Sequence, residues 1–310
     1  MKRSALLLTV LISCSVAAIG GPPQRPRILG IAGVTILVSD TPESRGFYQK
    51  VTDPERVCNF CEEVPSRTFF LPSTQHITLD QLSAPPPSNL LAQVSFRTDD
   101  LQKLRKFLKA NGIAFQERKT NGKSGALTSL LVHDPDGHNI SFVEAPQLFA
   151  SPLTSAGPNL AMHQSPSSIR IIHAGFVVKD LAAENRFYVD LLGFRLYWHG
   201  GFKDEGEDWY ELQVPDGTDW IEYMLNIPAN ADKKELGIQN HFSLGVKDIH
   251  AAEEQLRKNG ITKFDGPEIG RDGKWSIDAY DPDGTRVEIM EFTPAKDPCC
   301  HPYTGPHPTP

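Results

Sequence analysis

Short apolar runs with strand character alternate with amphipathic stretches along this chain, and the alternation repeats. Gly30-Ile-Ala-Gly-Val-Thr-Ile-Leu-Val-Ser-Asp40 is rich in β-branched residues and ends in Asp, and so does Arg170-Ile-Ile-His-Ala-Gly-Phe-Val-Val-Lys-Asp180. Each leads into a helical stretch carrying Phe-Tyr, at Phe47-Tyr48 and at Phe187-Tyr188. Later, Gln93 to Leu101 matches His241 to Ile249, and each of these strands runs into an amphipathic helix, Gln102 to Ile113 and His250 to Ile261. Both helices stop at Asn-Gly, a pair that accepts the left-handed backbone of a helix end. Asp134-Pro-Asp-Gly137 and Asp281-Pro-Asp-Gly284 are matching turns, with Pro fixing φ and Gly allowing a positive one. After the second turn, Thr285 to Phe292 reads as a strand: Val287 and Ile289 point one way, Arg286, Glu288, Met290 and Phe292 the other.

The two copies span 27–146 and 169–294, and each is itself halved, with new starts at Ile31, Leu91, Ile171 and His241. The expected architecture is α+β, four βαβββ modules paired into two domains. A Pro-, Ser- and Ala-rich linker occupies 147–168, and a Pro-rich tail without regular structure, treated as flexible, occupies 295–310. Residues 1–20 read as an export signal, with Lys2 and Arg3 ahead of the apolar Ala5 to Ile12. Val16-Ala17-Ala18 offers a cleavage site; Leu11-Ile12-Ser13-Cys14 offers the alternative of a lipid anchor at Cys14. A periplasmic or secreted protein is expected, with no membrane span, since a span needs roughly 20 apolar residues. The net charge of -7, with no basic run, argues against a nucleic-acid partner. Cys58 and Cys61 make half of a zinc ribbon at best, and Cys299-Cys300-His301 lies in the tail.

Four polar residues interrupt apolar runs of the second copy: His173, Glu222, His241 and Glu288. From His173 to Glu222 is 49 positions and from His241 to Glu288 is 47, so each half of the domain places one His and one Glu at nearly equivalent points. A local two-fold axis would bring all four together, and two imidazoles with two carboxylates suit one divalent transition ion. A lone strand histidine is more often a packed core residue; the matched pair of pairs is what points to a metal.

These βαβββ units, the Asp-Pro-Asp-Gly-x-x-x-Glu strand and the strand-borne His and Glu resemble the vicinal oxygen chelate superfamily, which includes glyoxalase I, fosfomycin-resistance proteins and extradiol dioxygenases. The second copy looks most like glyoxalase I. Ile221-Glu-Tyr-Met-Leu-Asn226 is similar to that family's second-ligand strand, and His173, His241 and Glu288 fall on its other ligand positions. The resemblance implies a lyase or isomerase using Ni, Zn, Co or Mn, in which Glu288, with Glu222 opposite it, moves a proton between adjacent carbons of a small substrate with neighbouring oxygens. The runner-up is an Fe(II) extradiol ring-cleaving dioxygenase, with His173, His241 and Glu288 as ligands. That family does without a carboxylate at Glu222 and expects a Tyr near Asp278, whereas Tyr280 reads as out of phase. A third reading is a non-catalytic binder of small molecules. Export separates the chain from the cytoplasmic glutathione on which the usual glyoxalase I substrate depends.

In the first copy, Gly33, Gln93 and Ser141 match His173, His241 and Glu288, and the match to Glu222 falls on Thr78 or Asp80. No metal site is expected there. Trp209, Tyr210, Trp220, Tyr223 and Trp275 are candidates for the pocket wall, and Arg195 or Arg271 for an anionic substrate group. His199, in a turn, and His250 read as surface residues. Monomer and homodimer both stay open.

Overall fold

The computed structural model describes residues 23–52, 68–71, 75–85, 87–122, 125–144 and 170–310. The signal with Cys14, the Cys58 and Cys61 pair and the 147–168 linker lie outside the described residues. The chain folds as α+β with one sheet per copy.

The first copy runs β1 (Ile28–Val38), α1 (Thr41–Thr52), β2 (Thr68–Phe70), β3 (His76–Gln81), β4 (Leu91–Thr98), α2 (Leu101–Ala110), β5 (Gln116–Gly122), β6 (Gly125–His133) and β7 (Asn139–Glu144). Its strands lie in the order β2-β3-β1-β4-β7-β6-β5. The second copy runs β8 (Arg170–Val177), α3 (Leu181–Asn185) continuing as a π-helical turn over Arg186–Leu191, β9 (Arg195–Gly200), β10 (Trp209–Gln213) and β11 (Trp220–Met224). It goes on with α4 (Lys233–Gln239), β12 (His241–Val246), α5 (Ile249–Lys258), β13 (Phe264–Ile269), β14 (Trp275–Tyr280) and β15 (Arg286–Glu291). Here the order is β13-β14-β15-β12-β8-β11-β10-β9. Two four-stranded modules thus meet along the antiparallel β8–β12 pair, and the halves relate by a local two-fold axis between those strands.

Local chemistry sets these elements. Asp100 and Asp248 cap α2 and α5 by accepting the backbone N–H of Lys103 and of His250 and Ala251. Leu101, Leu104, Phe107 and Leu108 form the buried stripe of α2, and Ile249, Ala252 and Leu256 that of α5. At the Asp281 turn the side chain accepts the N–H of Asp283 and of Thr285, while Gly284 takes φ +89°.

One continuous core holds the copies together. Tyr48 of α1 stacks on Phe242 of β12 at 6.3 Å, and Phe194, after α3, packs edge-on against Phe96 of β4 at 5.5 Å. The repeated motifs meet reciprocally. Tyr48 donates its hydroxyl hydrogen to Asp281 Oδ2 at 3.0 Å, and Tyr188 donates to Asp134 Oδ2 at 3.1 Å. Asp283 accepts from the Ser39 N–H, as Asp136 accepts from that of Lys179. Each copy's Phe-Tyr helix is thus tied to the other copy's Asp-Pro-Asp-Gly turn.

The 295–310 tail has no helix or strand, as its prolines dictate, but it is not free. Thr304 N–H donates to Tyr197 O, Gln213 Nε2 to Pro306 O and Tyr303 OH to Asp272 O, at 2.9, 2.8 and 2.8 Å. Its aromatic ring Tyr303 packs on Tyr197 at 4.6 Å. Among the described residues no helix is long and apolar enough to cross a membrane.

Candidate metal centre

In the second sheet, the strand faces toward the helices are apolar: Ala174 and Phe176 of β8, Ile221 and Tyr223 of β11, Phe242 and Leu244 of β12, Val287 and Ile289 of β15. Strand alternation puts their neighbours on the opposite face, and the four metal candidates are among them. The pairing register arranges them in two short rows across the sheet. Gly175 lies between Glu222 on β11 and His241 on β12. Ser243 lies between His173 on β8 and Glu288 on β15. Each row carries one imidazole and one carboxylate, and the local two-fold axis exchanges them.

The donor atoms converge. His173 Nε2 is 3.1 Å from His241 Nε2, 3.1 Å from Glu288 Oε2 and 3.8 Å from Glu222 Oε2, and His241 Nε2 is 3.2 Å from Glu222 Oε2. Ligands about 2.0–2.1 Å from one tetrahedral ion stand roughly 3.3 Å from each other; His173, His241 and Glu288 each offer an atom within 4.8 Å of the other two, and Glu222 joins them through its contacts with the two imidazoles. His241 Nδ1 lies 3.1 Å from Gln239 O, a carbonyl that accepts the Nδ1 hydrogen and leaves Nε2 as the donor to an ion. His173 is pinned from the side by Trp220, whose ring centroid is 4.7 Å away. Gly175 is where the sequence makes room: a Cβ there would stand 2.2 Å from His241 Cε1.

Burial would raise both glutamates. The hydrogen bond and charge of His173, aided by Arg286 and His241, instead hold Glu288 well below the usual carboxylate range. His241 and His173 lower Glu222 in the same way. Burial and the adjacent guanidinium lower the proton affinity of His241, which suits a neutral ligand imidazole.

Around this centre the structure adds residues that the sequence reading missed. Arg286, two positions before Glu288 on the same face, places Nη2 2.8 Å from His241 Nε2 and Nη1 3.4 Å from Asp278 Oδ2. Asp278 is pushed to about 6 by burial, with Arg286 opposing and Glu288 adding to the rise. Glu211 pairs across β10–β11 with Glu222 and is buried, which raises its carboxyl despite Lys274. Lys274 is itself buried, its ammonium 4.6 Å over Trp220, 4.7 Å over Tyr303 and 5.2 Å over Tyr197, and 3.1 Å from Asp272.

Several expected pocket residues fall elsewhere. Trp209 and Trp220 share the face of Glu222, but Tyr210, Tyr223 and Trp275 pack in the helix-side core. Arg195 bonds the carbonyls of Val214 and Gly217, and Arg271 that of Gly201 and the Asp204 carboxylate, so both are structural. Arg286 is the guanidinium that faces the centre. Tyr280 is not out of phase: it alternates with Ala279 and shares the face of Asp278, with its hydroxyl committed to Asp265 at 2.9 Å. His199 lies on strand β9 rather than in a turn, and its ring stacks on His301 of the tail at 3.7 Å, beside Glu207. Cys299 and Cys300 form a vicinal disulfide.

In the first sheet the register gives Gly33, Thr78, Gln93 and Ser141 at the four equivalent positions, which settles the Thr78 or Asp80 alternative. Gln93 Nε2 bonds Ser141 Oγ and Ser95 Oγ, both at 3.1 Å, a neutral network in place of charged ligands.

The model of the Glyoxalase/Bleomycin resistance protein/Dioxygenase superfamily matches residues 30–142 and 170–289. A lactoylglutathione lyase of Haemophilus influenzae is 32% identical over 128 residues, 40% of this chain and 93% of that protein. A probable chloroplastic lactoylglutathione lyase of Arabidopsis thaliana is 26% identical over 137 residues, 42% of this chain and 38% of that protein. Among solved structures, a variant of homoprotocatechuate 2,3-dioxygenase from B. fuscum superposes with a TM-score of 0.60 at 20% identity, over 92% of this chain and 74% of its own. At that identity the likeness is one of fold.

Proposed function

The chain belongs to the Glyoxalase/Bleomycin resistance protein/Dioxygenase superfamily, and on that premise we propose that its second domain is a metal-dependent lyase or isomerase of the glyoxalase I type. The observation that carries this reading is the paired His/Glu set: His173 and Glu288 in one row, His241 and Glu222 in the other, the two imidazoles 3.1 Å apart and each glutamate 3.1–3.8 Å from an imidazole nitrogen. These four residues would hold one divalent ion such as nickel, zinc, cobalt or manganese. A bound ion of this kind polarises a substrate oxygen and stabilises negative charge as a neighbouring carbon loses its proton.

The chain's own residues supply the rest. Glu288 is a carboxylate at neutral pH, and as the base it would take the substrate proton once substrate displaces the His173 and Arg286 contacts that lower its proton affinity. Glu222 stands across the His pair from it and can hold a proton on the second carbon's side. Arg286 offers a buried cation beside both Glu288 and His241 to an anionic substrate oxygen. The substrate is a small molecule with two neighbouring oxygens. All four ligands come from one chain, so the site closes in a monomer. An export signal over 1–20 would place the reaction outside the cytoplasm and favour a substrate other than a glutathione adduct.

The lactoylglutathione lyase relatives support this reading over ring cleavage, as does Glu222, a carboxylate that extradiol dioxygenases lack. The test is elemental mass spectrometry on the mature wild type beside His173→Ala and Glu222→Ala, purified without chelator. About one nickel, zinc, cobalt or manganese at this centre, reduced in both variants, is expected. Iron kept in Glu222→Ala and lost in His173→Ala would replace the lyase with a dioxygenase. No occupancy dependent on either residue would leave a small-molecule-binding protein without an ion at this centre.

A further inference from the structure

The two reciprocal clasps between the copies are built on the same plan, but their linings differ. At one, Tyr48 and Asp281 are accompanied by Ser44 from α1 and Thr285 after the turn, two short hydroxyl side chains, both buried. At the other, Tyr188 and Asp134 have Glu184 and His138 at those same positions. The second junction therefore carries a carboxylate and an imidazole where its two-fold counterpart carries none.

The placement of these groups is costly without a partner. Glu184 has no solvent exposure; Oε1 accepts the Asp136 N–H at 2.8 Å, and Oε2 has no hydrogen-bond partner. The Tyr223 hydroxyl, buried beside it, also lacks one. Asp134 is buried and spreads its bonds over Tyr188 OH, the His138 N–H and His138 Nδ1, the last at 2.8 Å. The His138 ring is held in place against Phe176 of the other copy, with centroids 4.6 Å apart. One donor atom each from Asp134, His138 and Glu184 lies within 4.8 Å of the other two. The charges of Asp134, Asp136 and Asp180 all bear on Glu184. An unpaired buried carboxylate costs several kcal/mol of desolvation, and a cation shared between two carboxylates and an imidazole removes that cost.

We propose that Asp134, His138 and Glu184 form a second divalent-cation site, a structural one, which locks the first copy's Asp-Pro-Asp-Gly turn to the second copy's α3. One nitrogen and two carboxylate donors, with the Tyr223 oxygen at hand, suit zinc or manganese rather than a soft ion such as Cu(I). The site is independent of the His173 centre: it lies on the helix side of the sheets, between the copies.

The experiment uses the mature full chain, stripped with chelator, re-equilibrated with zinc or with manganese, dialysed and measured by elemental mass spectrometry. A His173→Ala/His241→Ala chain empties the first centre and is expected to retain about one ion. Adding Glu184→Ser and His138→Thr, which copies the other junction, is expected to remove that ion while circular dichroism stays unchanged. No ion in the folded double variant, or an ion that survives the added changes, overturns the proposal and leaves a proton or a water at Glu184. If the lyase reading fails instead, the wild type binds an ion that depends on Glu184 and not on His173, so the two failures are distinct. A variant-free check is hydrogen exchange on the wild type with and without zinc. Slower exchange over 132–139 and 181–191 is expected, and unchanged exchange there at saturating zinc overturns the site.

Discussion

Gly175→Ala tests the candidate centre with a single methyl group. The new Cβ would stand 2.2 Å from His241 Cε1, 2.6 Å from Nδ1 and 2.9 Å from Nε2. Ordinary contact begins near 3.4 Å, so the imidazole must retreat by about 1 Å. A metal ligand tolerates displacements of only about 0.2 Å before its bond is lost or distorted. His241 is fully buried, so retreat means pushing on packed neighbours, at about 1–3 kcal/mol of overpacking strain. The affinity for zinc should fall by at least the 10–100-fold typical of disturbing a ligand's support. Gly245→Ala is the matched control. Its Cβ would meet Phe292 at 2.4 Å and Ile172 at 2.7 Å, on the same sheet face but touching no ligand. Zinc competition titration with thermal unfolding on both variants separates the effects. Both should lose stability, and only Gly175→Ala should lose affinity. Unchanged affinity in Gly175→Ala, or equal losses in the two, would refute the assignment of His241 as a fixed ligand.

Other consequences can be measured on the same protein. Tyr48→Phe and Tyr188→Phe each remove a hydrogen bond to a buried carboxylate, at 3.0 and 3.1 Å, and should each cost about 1.5–3 kcal/mol in urea unfolding. Burial raises Asp281 from 3.8 to about 6, with the Thr285 N–H and Tyr48 opposing. Because the folded-state value lies above the unfolded one, the folded chain binds the extra proton between them. The contribution is therefore fully present below pH ~4 and lost as pH rises through ~6, a decline of up to about 3 kcal/mol that Asp281→Asn should abolish in pH-dependent unfolding curves. Removing 295–310 uncovers Tyr197, Trp220 and Lys274, and since Trp220 packs on His173, both thermal stability and metal retention should drop.

Much of this architecture was legible in the chain because it is written in local patterns. Period-two alternation separated Val287 and Ile289 from Glu288, and Asn-Gly pairs marked the ends of α2 and α5. The repeat of His and Glu at near-equal spacing sets four candidate ligands apart in the sequence alone. What stayed hidden depends on register and long-range contact. Glu211 faces Glu222 only because β10 pairs with β11 at that offset, and no spacing in the sequence specifies it. The Thr78 or Asp80 choice likewise needed the β1–β3 pairing. The repeated Phe-Tyr and Asp-Pro-Asp-Gly motifs were visible as repeats, but each finds its partner in the other copy. Lys274 gave no signal at all: its cage of Tyr197, Trp220 and Tyr303 exists only once the tail crosses the sheet. Arg286 is legible in the alternation, on the face of Glu288, but nothing in the sequence sets it above Arg195 and Arg271.

Glu222 carries the distinction between the two catalytic readings, and its energetics favour a ligand role. The side chain is only 13% exposed and leans on His241 for compensation. The hydrogen bond from His241 and the charges of His241 and His173 hold Glu222 below the usual carboxylate range, while burial and Arg286 lower the proton affinity of His241. Glu288 adds negative charge nearby. An ion held by His173, His241 and Glu288 alone would take both imidazoles as neutral ligands and so remove the charge that now compensates Glu222, a burden that Gln would relieve at nearly the same volume. A two-plus ion touching all four donors changes the balance: two imidazoles and two carboxylates around it form a neutral set, and each carboxylate is paired. The first copy shows the alternative that needs no ion, for there the same fold carries Gly33, Thr78, Gln93 and Ser141, with hydroxyls and an amide closing on one another. A sheet of this kind can therefore be packed without charge at these positions, and the charge in the second copy calls for a function.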